Sequence, residues 1–296
     1  MAAGARRITI HGVPYRLDDE IGYGLHSFVY SARDLSTGQN VAIKIIQFGH
    51  RALARATTDS RRQSFWKELD LLLHLQPLNP YVIRVLNWDY REAVGFIVME
   101  RGDTFRDTLI ETNGSGALLP LPLVKRFWSQ MVEAIYYLHR IGIVHADVKP
   151  ENFIQVGPDG TSLRLIDMGI SFRLPPFITS RLKTAAGTPD YVAPELINAR
   201  FNLGSRSKFG YKSDIWSLGV ILYEMAFGER PLQYLGDNSN KISFLGKMRR
   251  DLQIPPHPDP LLRNVLRKCL RFNPRRRPTA EMLMGHPYLT SGLAQT

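Results

Sequence analysis

His145-Ala146-Asp147-Val148-Lys149-Pro150-Glu151-Asn152, followed by Leu165-Ile166-Asp167-Met168-Gly169, is the stretch whose reading decides the fold. Asp147 stands five residues before Asn152 and 20 before Asp167. A carboxylate at Asp147 can accept or orient the proton of an attacking hydroxyl, and Lys149 can neutralise charge on a transferring group. Asn152 and Asp167 offer hard oxygen ligands to Mg²⁺ bridging the phosphates of ATP.

Phosphoryl transfer also needs a cover over the phosphates and a cation to position them. Both stand upstream. Val41-Ala42-Ile43-Lys44 is a short apolar strand carrying one ammonium, 20 residues after Gly24, so Lys44 is read as reaching the α and β phosphates. Glu68 falls beside Leu72 on a helix expected from Ser60 to Leu75, and is read as pairing with Lys44. In Ile21-Gly22-Tyr23-Gly24-Leu25-His26-Ser27-Phe28-Val29, Gly22 and Gly24 let the backbone approach phosphate without a Cβ; Ser27 replaces the usual third glycine. Taken singly, these are a hairpin turn, an edge-strand lysine and a solvated carboxylate. Their order and spacing are what point to chemistry.

Downstream, Gly187-Thr188-Pro189-Asp190-Tyr191-Val192-Ala193-Pro194-Glu195 closes the segment that Asp167 opens. The hydroxyls of Thr179, Ser180, Thr184 and Thr188 within it are candidate phosphorylation sites. Asp214 is expected to support the catalytic loop, and Arg277 to pair with Glu195; both are read as structural.

Around these motifs the chain changes character. Arg16 to Ile21, Phe28 to Asp34, Asn40 to Ile46, Val82 to Asp89 and Gly95 to Met99 read as strands, interrupted by the one helix. Beyond Glu100-Arg101-Gly102-Asp103, helical spacing dominates Pro122 to Ile141, Ser213 to Gly228, Pro260 to Arg271 and Ala280 to Gly285, with a loop-like patch at Glu111 to Ala117. The expected fold is α+β and bilobal. A small antiparallel N-lobe with one main helix covers about residues 8–99, a hinge covers 100–103, and a mainly helical C-lobe covers about 104–289, with short tails at 1–7 and 290–296.

The 296 residues, 44% of them hydrophobic, suffice for such a core. No run of 18 apolar residues and no signal-peptide pattern is present, so no membrane partner is expected. The single cysteine, Cys269, forms no internal disulfide, which suits cytoplasm or nucleus. The net charge of +11 favours acidic partners such as acidic protein substrates. A nucleic-acid-binding module is disfavoured because the arginines from Arg263 to Arg277 are interleaved with a single aromatic, Phe272.

From about Ile8 to Leu289 the chain resembles a eukaryotic protein kinase domain, with Lys149 and Gly187-Thr188 similar to serine/threonine kinases. A finer resemblance is to the monopolar-spindle (TTK-type) dual-specificity checkpoint kinases. It rests on Ile8 to Tyr15, the serine ending the Gly-rich loop, Met99 to Asp103, Ile141 to Asp147, Asn152-Phe153 and the stretch from Ala199 to Tyr211. It implies transfer of the ATP γ-phosphoryl to Ser or Thr, with Tyr as a further acceptor, in spindle-checkpoint control. Ile21 to Val29, Ala42, Lys44 and Met99 to Gly102 would hold ATP, and Asn152 and Asp167 would hold Mg²⁺.

Met168 replaces that family's phenylalanine, and the family's kinetochore-docking N-terminal region is absent from this sequence, so kinetochore localisation rests on resemblance alone. The arginine that most kinases place before the catalytic aspartate is Ala146; Arg173 and Lys183 are the alternative contacts for a phosphorylated segment. The competing reading is a pseudokinase or nucleotide-binding scaffold. It predicts a missing catalytic residue, whereas Lys44, Asp147, Asn152 and Asp167 are all present. The physiological substrate, activating event and oligomeric state have no signature in the sequence.

Overall fold

A computed structural model describes residues 6–24, 26–49, 55–175, 180–184, 189–198 and 206–291, by backbone alone at 55–57, 181–184 and 206–208. Leu25, Thr179 and Thr188 therefore lie outside the described residues, as do the side chains of Lys183 and Thr184. Two compact units emerge, one of residues 1–102 with 166–169 and one of residues 103–165 with 170–296.

The first unit is built on an antiparallel sheet of β1 (Arg6–Ile10), β2 (Val13–Gly24), β3 (Ser27–Asp34), β4 (Asn40–Gln47), β5 (Val85–Arg91) and β6 (Val94–Glu100), in the order β1-β2-β3-β4-β6-β5. Because strand side chains alternate between faces, β4 serves both. Val41 and Ile43 join Ile10, Tyr15, Ala32, Phe96 and Val98 in one apolar cluster. Ala42, Lys44 and Ile46 take the other face, and Lys44 and Ile46 line a cavity there with Phe65 and Glu68.

Those last two sit on α1 (Arg55–Leu75), whose buried Phe65, Glu68, Leu69, Leu72 and Leu75 recur at helical spacing. The helix begins five residues before the expected Ser60, in a polar stretch where hydrophobic periodicity has no signal. Gly95 is required by packing, since a Cβ there would lie 2.6 Å from the Phe65 ring. Strand β5 starts at Val85 rather than Val82, because Val82 donates to Asn79 in a turn.

The second unit opens with β7 (Asp103–Thr104), α2 (Phe105–Gly114) and α3 (Leu121–Arg140). Helix α2 runs through half of the patch expected to be loop: Thr104 caps it by accepting from the Asp107 N–H, and burial of Phe105 and Leu109 holds it down. Then follow β8 (Ile143–Val144), β9 (Phe153–Val156), β10 (Ser162–Leu165), β11 (Phe172–Arg173), β12 (Ser180–Thr184), α4 (Pro194–Ile197) and β13 (Arg206–Gly210). The strands pair as β10-β9-β7, β11-β8 and β12-β13. The last pair was not expected, since neither segment alternates in hydrophobicity.

Helix α5 (Tyr211–Phe227) is buried at every position from Ser213 to Ala226, as an apolar sequence on all faces demands. Trp128 of α3 donates its indole N–H to the Leu218 carbonyl at 3.0 Å. Gly219 lets α7 (Pro260–Cys269) approach so closely that a Cβ would stand 2.7 Å from that of Cys269. Helices α6 (Asn238–Lys247), α8 (Ala280–Met284) and α9 (Pro287–Thr290) complete the unit. Among the described residues no helix is long and apolar enough to cross a membrane.

Candidate active site

In the first unit, β2 and β3 form a hairpin in which Gly22 pairs with Val29, Tyr23 with Phe28 and Gly24 with Ser27. Ile21 and Tyr23 are exposed. His26 and Ser27, next to this turn, line a cavity of about 590 Å³ with Lys44, Arg61, Glu68 and Gly169. The Lys44 ammonium lies 2.6 Å from Glu68 Oε1 and 3.7 Å from Asp167 Oδ1. Burial alone would push the Lys44 pKa down; the carboxylates of Glu68 and Asp167 outweigh it and hold it above its ordinary value. Lys44 is therefore a fixed cation.

Asp167 has φ +61°, a left-handed conformation costly for a non-glycine residue, and its Oδ1 accepts from the Gly169 N–H at 3.0 Å. Met168, beside it, is buried. Ala42 and Met99 face each other across β4 and β6 and are buried. Glu100 ends β6; its N–H donates to the Arg84 carbonyl and its Oε1 accepts the Arg84 N–H. Arg101 and Gly102 lie beyond the strand.

In the second unit, the loop after β8 carries Asp147, whose Oδ2 is 2.7 Å from the Lys149 ammonium. Asn152 donates its amide to the Asp147 carbonyl at 2.7 Å and to Oδ2 at 3.3 Å. With its NH₂ so engaged, the amide presents its oxygen on the opposite edge. Asp214 supports this loop: Oδ2 accepts the His145 N–H and Oδ1 the Ala146 N–H, both at 3.0 Å, while Ala146 adopts φ +70°. His139 Nε2 reaches the same carboxylate at 2.9 Å. Glu195 accepts a two-pronged pair from Arg277 at 2.6 and 2.7 Å. Arg173 is engaged by the Ile141 carbonyl at 2.7 Å.

Sequence reasoning missed His139 and a network around Glu224. Glu224 takes Arg106 at 2.6 Å and the Tyr191 hydroxyl at 2.7 Å. Desolvation, then the Glu224 charge, push the Tyr191 pKa far up. Beside it Asp190 pairs with Arg230 and, at 2.5 Å, with Lys241. The signal was present, because a lone carboxylate in Ile221-Leu222-Tyr223-Glu224-Met225 on a buried helix demands partners.

Each unit offers oxygen of the kind a hard cation takes, the Asp167 carboxylate in the first and the Asn152 amide in the second. Among the described residues no three His, Cys, Asp or Glu side chains gather as a metal cage.

The sequence model of the protein kinase domain family matches residues 15–289. The chain is 35% identical over 284 residues to the dual specificity protein kinase Ttk of Danio rerio, covering 95% of this chain and 28% of that protein. It is 33% identical over 288 residues to the dual specificity protein kinase TTK of Mus musculus, covering 95% of this chain and 32% of that one. It is 30% identical over 308 residues to the serine/threonine-protein kinase ppk34 of Schizosaccharomyces pombe, with 93% of this chain and 83% of that protein covered.

Proposed function

The chain belongs to the protein kinase domain family, and from that premise we propose that it transfers the γ-phosphoryl group of ATP to serine or threonine hydroxyls of proteins, with tyrosine as a further acceptor. The observation that carries this reading is Lys44, held 2.6 Å from Glu68 with Asp167 at 3.7 Å: a buried ammonium fixed by two carboxylates and facing a cavity.

Each residue then has a role. Asp147 orients the acceptor hydroxyl and takes its proton, with Asn152 fixing that carboxylate and Lys149 offsetting charge on the transferring group. Lys44 positions the phosphates. Gly22 to Val29, Ala42 and Met99 to Gly102 enclose the nucleotide. Asn152 and Asp167 would hold Mg²⁺, which when bound neutralises phosphate charge. Glu195 with Arg277 and Asp214 with the loop amides keep the second unit's geometry. The kinase domain is read as residues 8–289.

Likeness to the TTK proteins supports a role in spindle-checkpoint phosphorylation, with substrates that are acidic by complementarity to the chain's +11 charge. The test incubates purified chain with ATP, Mg²⁺ and a degenerate peptide library, mapping products by mass spectrometry. Phosphate should appear on Ser and Thr peptides and vanish with Asp167→Ala and Asp147→Asn. Undiminished transfer by Asp167→Ala overturns the assignment.

A further inference from the structure

One face of α1 turns toward the cavity that Lys44 faces, within the strand-rich unit. Ser60, Arg61, Ser64 and Glu68 stand on its wall at the spacing of a single helical stripe, and His26 and Ser27 of the β2–β3 turn stand there with them. Arg61 lies about two turns, or about 10 Å along the axis, before Glu68. It has no part in the chemistry above.

The wall sets two permanent cations, Lys44 and Arg61, against one carboxylate, Glu68. Glu68 is taken by Lys44 at 2.6 Å, and Asp167 stands 3.7 Å from the same ammonium. Both acids are thus turned to Lys44. Among the described residues no carboxylate lies within ion-pair distance of Arg61. Its guanidinium reaches the Phe48 carbonyl only at 3.5 Å, the outer limit of a hydrogen bond, and its buried Nε has no partner among the described residues. Arg62, the next residue, is committed elsewhere: it donates to the Glu92 carbonyl at 2.5 Å, lies 6.0 Å from the centres of the Phe48 and Tyr90 rings, and is not on the wall. A guanidinium is charged at every working pH and presents its donors as a fixed fork, so an anion is what completes Arg61.

Resting on the kinase reading, we propose that Arg61 is a phosphate-binding residue of the nucleotide site, taking the terminal phosphate of ATP from α1 while Lys44 takes the phosphates nearer the ribose. A triphosphate carries more negative charge than Lys44, already offset by Glu68 and Asp167, can balance. The guanidinium fork matches a phosphate with two parallel charge-assisted hydrogen bonds, which are shorter and stronger than neutral ones. Its stem leaves α1 about two turns from Glu68, so it meets the end of the triphosphate rather than its middle. Arg61 and Glu68 share one helix, and a terminal phosphate held by Arg61 therefore also holds Glu68 against Lys44. ADP leaves that contact unmade. Arg61 is thus the side chain that lets the strand-rich unit distinguish ATP from ADP.

The test measures equilibrium binding to the full chain by calorimetry in Mg²⁺, with the β,γ-imido analogue of ATP, which carries the terminal phosphate and cannot transfer it, and with ADP and adenosine. Arg61→Gln should weaken the ATP analogue about tenfold, as expected for the loss of a hydrogen bond to a charged group. ADP should weaken less and adenosine not at all. Arg61→Lys should recover part of the loss, and Arg62→Gln should leave all three affinities at their wild-type values. Unchanged affinity for the ATP analogue in Arg61→Gln overturns the proposal. So does an equal fall for all three ligands, which would make Arg61 a support of the fold. A second arm titrates inorganic phosphate into the chain saturated with the analogue; saturable, Arg61-dependent binding alongside the nucleotide would give the guanidinium to a separate anion and likewise overturn the assignment. The two readings fail separately. Peptide phosphorylation with a nucleotide affinity indifferent to Arg61 would strike the role of Arg61 alone, and Arg61-dependent nucleotide binding without transfer would strike the kinase reading alone.

Discussion

Lys44–Glu68 in the strand-rich unit and Arg277–Glu195 in the helix-rich unit have the same contact distance, 2.6 Å, and opposite designs. The Arg277 side chain is 0% exposed, and its donors are spent on Glu195 and on the carbonyls of Arg271, Lys212 and Phe272, with its guanidinium 4.9 Å over Trp216. Nothing is left for a ligand. Lys44, 14% exposed, keeps a second carboxylate at 3.7 Å and faces a cavity. A saturated pair fixes structure, whereas a pair with spare donors on an open side can act on something else.

The largest effect should come from breaking the saturated pair. Arg277→Met leaves Glu195 buried without its partner and should destabilise the chain by about 3–5 kcal/mol, lowering the melting temperature by roughly 2–4 °C per kcal/mol. Calorimetry checks this. A melting temperature within about 2 °C of wild type would dissolve the contrast between the two pairs.

Lys44→Met should act first on activity. Turnover should fall by about 10²–10³-fold, the loss typical when a positioned electrostatic group is removed, with a drop in melting temperature smaller than that of Arg277→Met because Glu68 borders a cavity that water can enter. The pH dependence sharpens the point. A raised lysine pKa contributes stability in full below the unfolded value and loses it as pH rises through the folded one. The ammonium thus persists past pH 10.5, and no alkaline limb of activity below that pH belongs to Lys44. A limb near pH 9 that disappears with Lys44→Arg would contradict this.

Arg106→Met tests the intermediate case. Arg106 is 22% exposed at the side chain, yet it partners Glu224, which is 3% exposed. Tyr191 and the more distant Arg230 would still face Glu224, so a cost of about 1–3 kcal/mol is expected in urea unfolding.

How much of this was legible follows the same division. Local spacing carried Gly22, Gly24, Lys44, Asp147, Asn152 and Asp167, because phosphoryl transfer fixes which groups must stand on which turn or strand. Glu68 was legible because it interrupts an apolar helix face between Phe65 and Leu72. The β12–β13 pair was not: its partners lie 22 to 30 residues apart on a polar stretch, held by backbone bonds that side-chain pattern does not encode. The start of α1 and the length of α2 escaped for a related reason, since caps and distant packing set helix ends and periodicity does not. His139 was hidden because its partner Asp214 lies 75 residues away.

Cys269 carries the contrast down to a single group, and its test leaves the sequence unchanged. It is 0% exposed beneath Gly219. Burial therefore pushes its thiol up to about 12, against which the Arg277 and Lys268 charges are minor. Only the thiolate is nucleophilic. At pH 8 the native chain should react with iodoacetamide about three orders of magnitude more slowly than the urea-unfolded chain, whose cysteine ionises near 8.5. Mass spectrometry of the tryptic peptide reads both rates. Rapid native alkylation would mean that α5 and α7 separate in solution, and with them the packing beside which Arg277 and Glu195 are sealed.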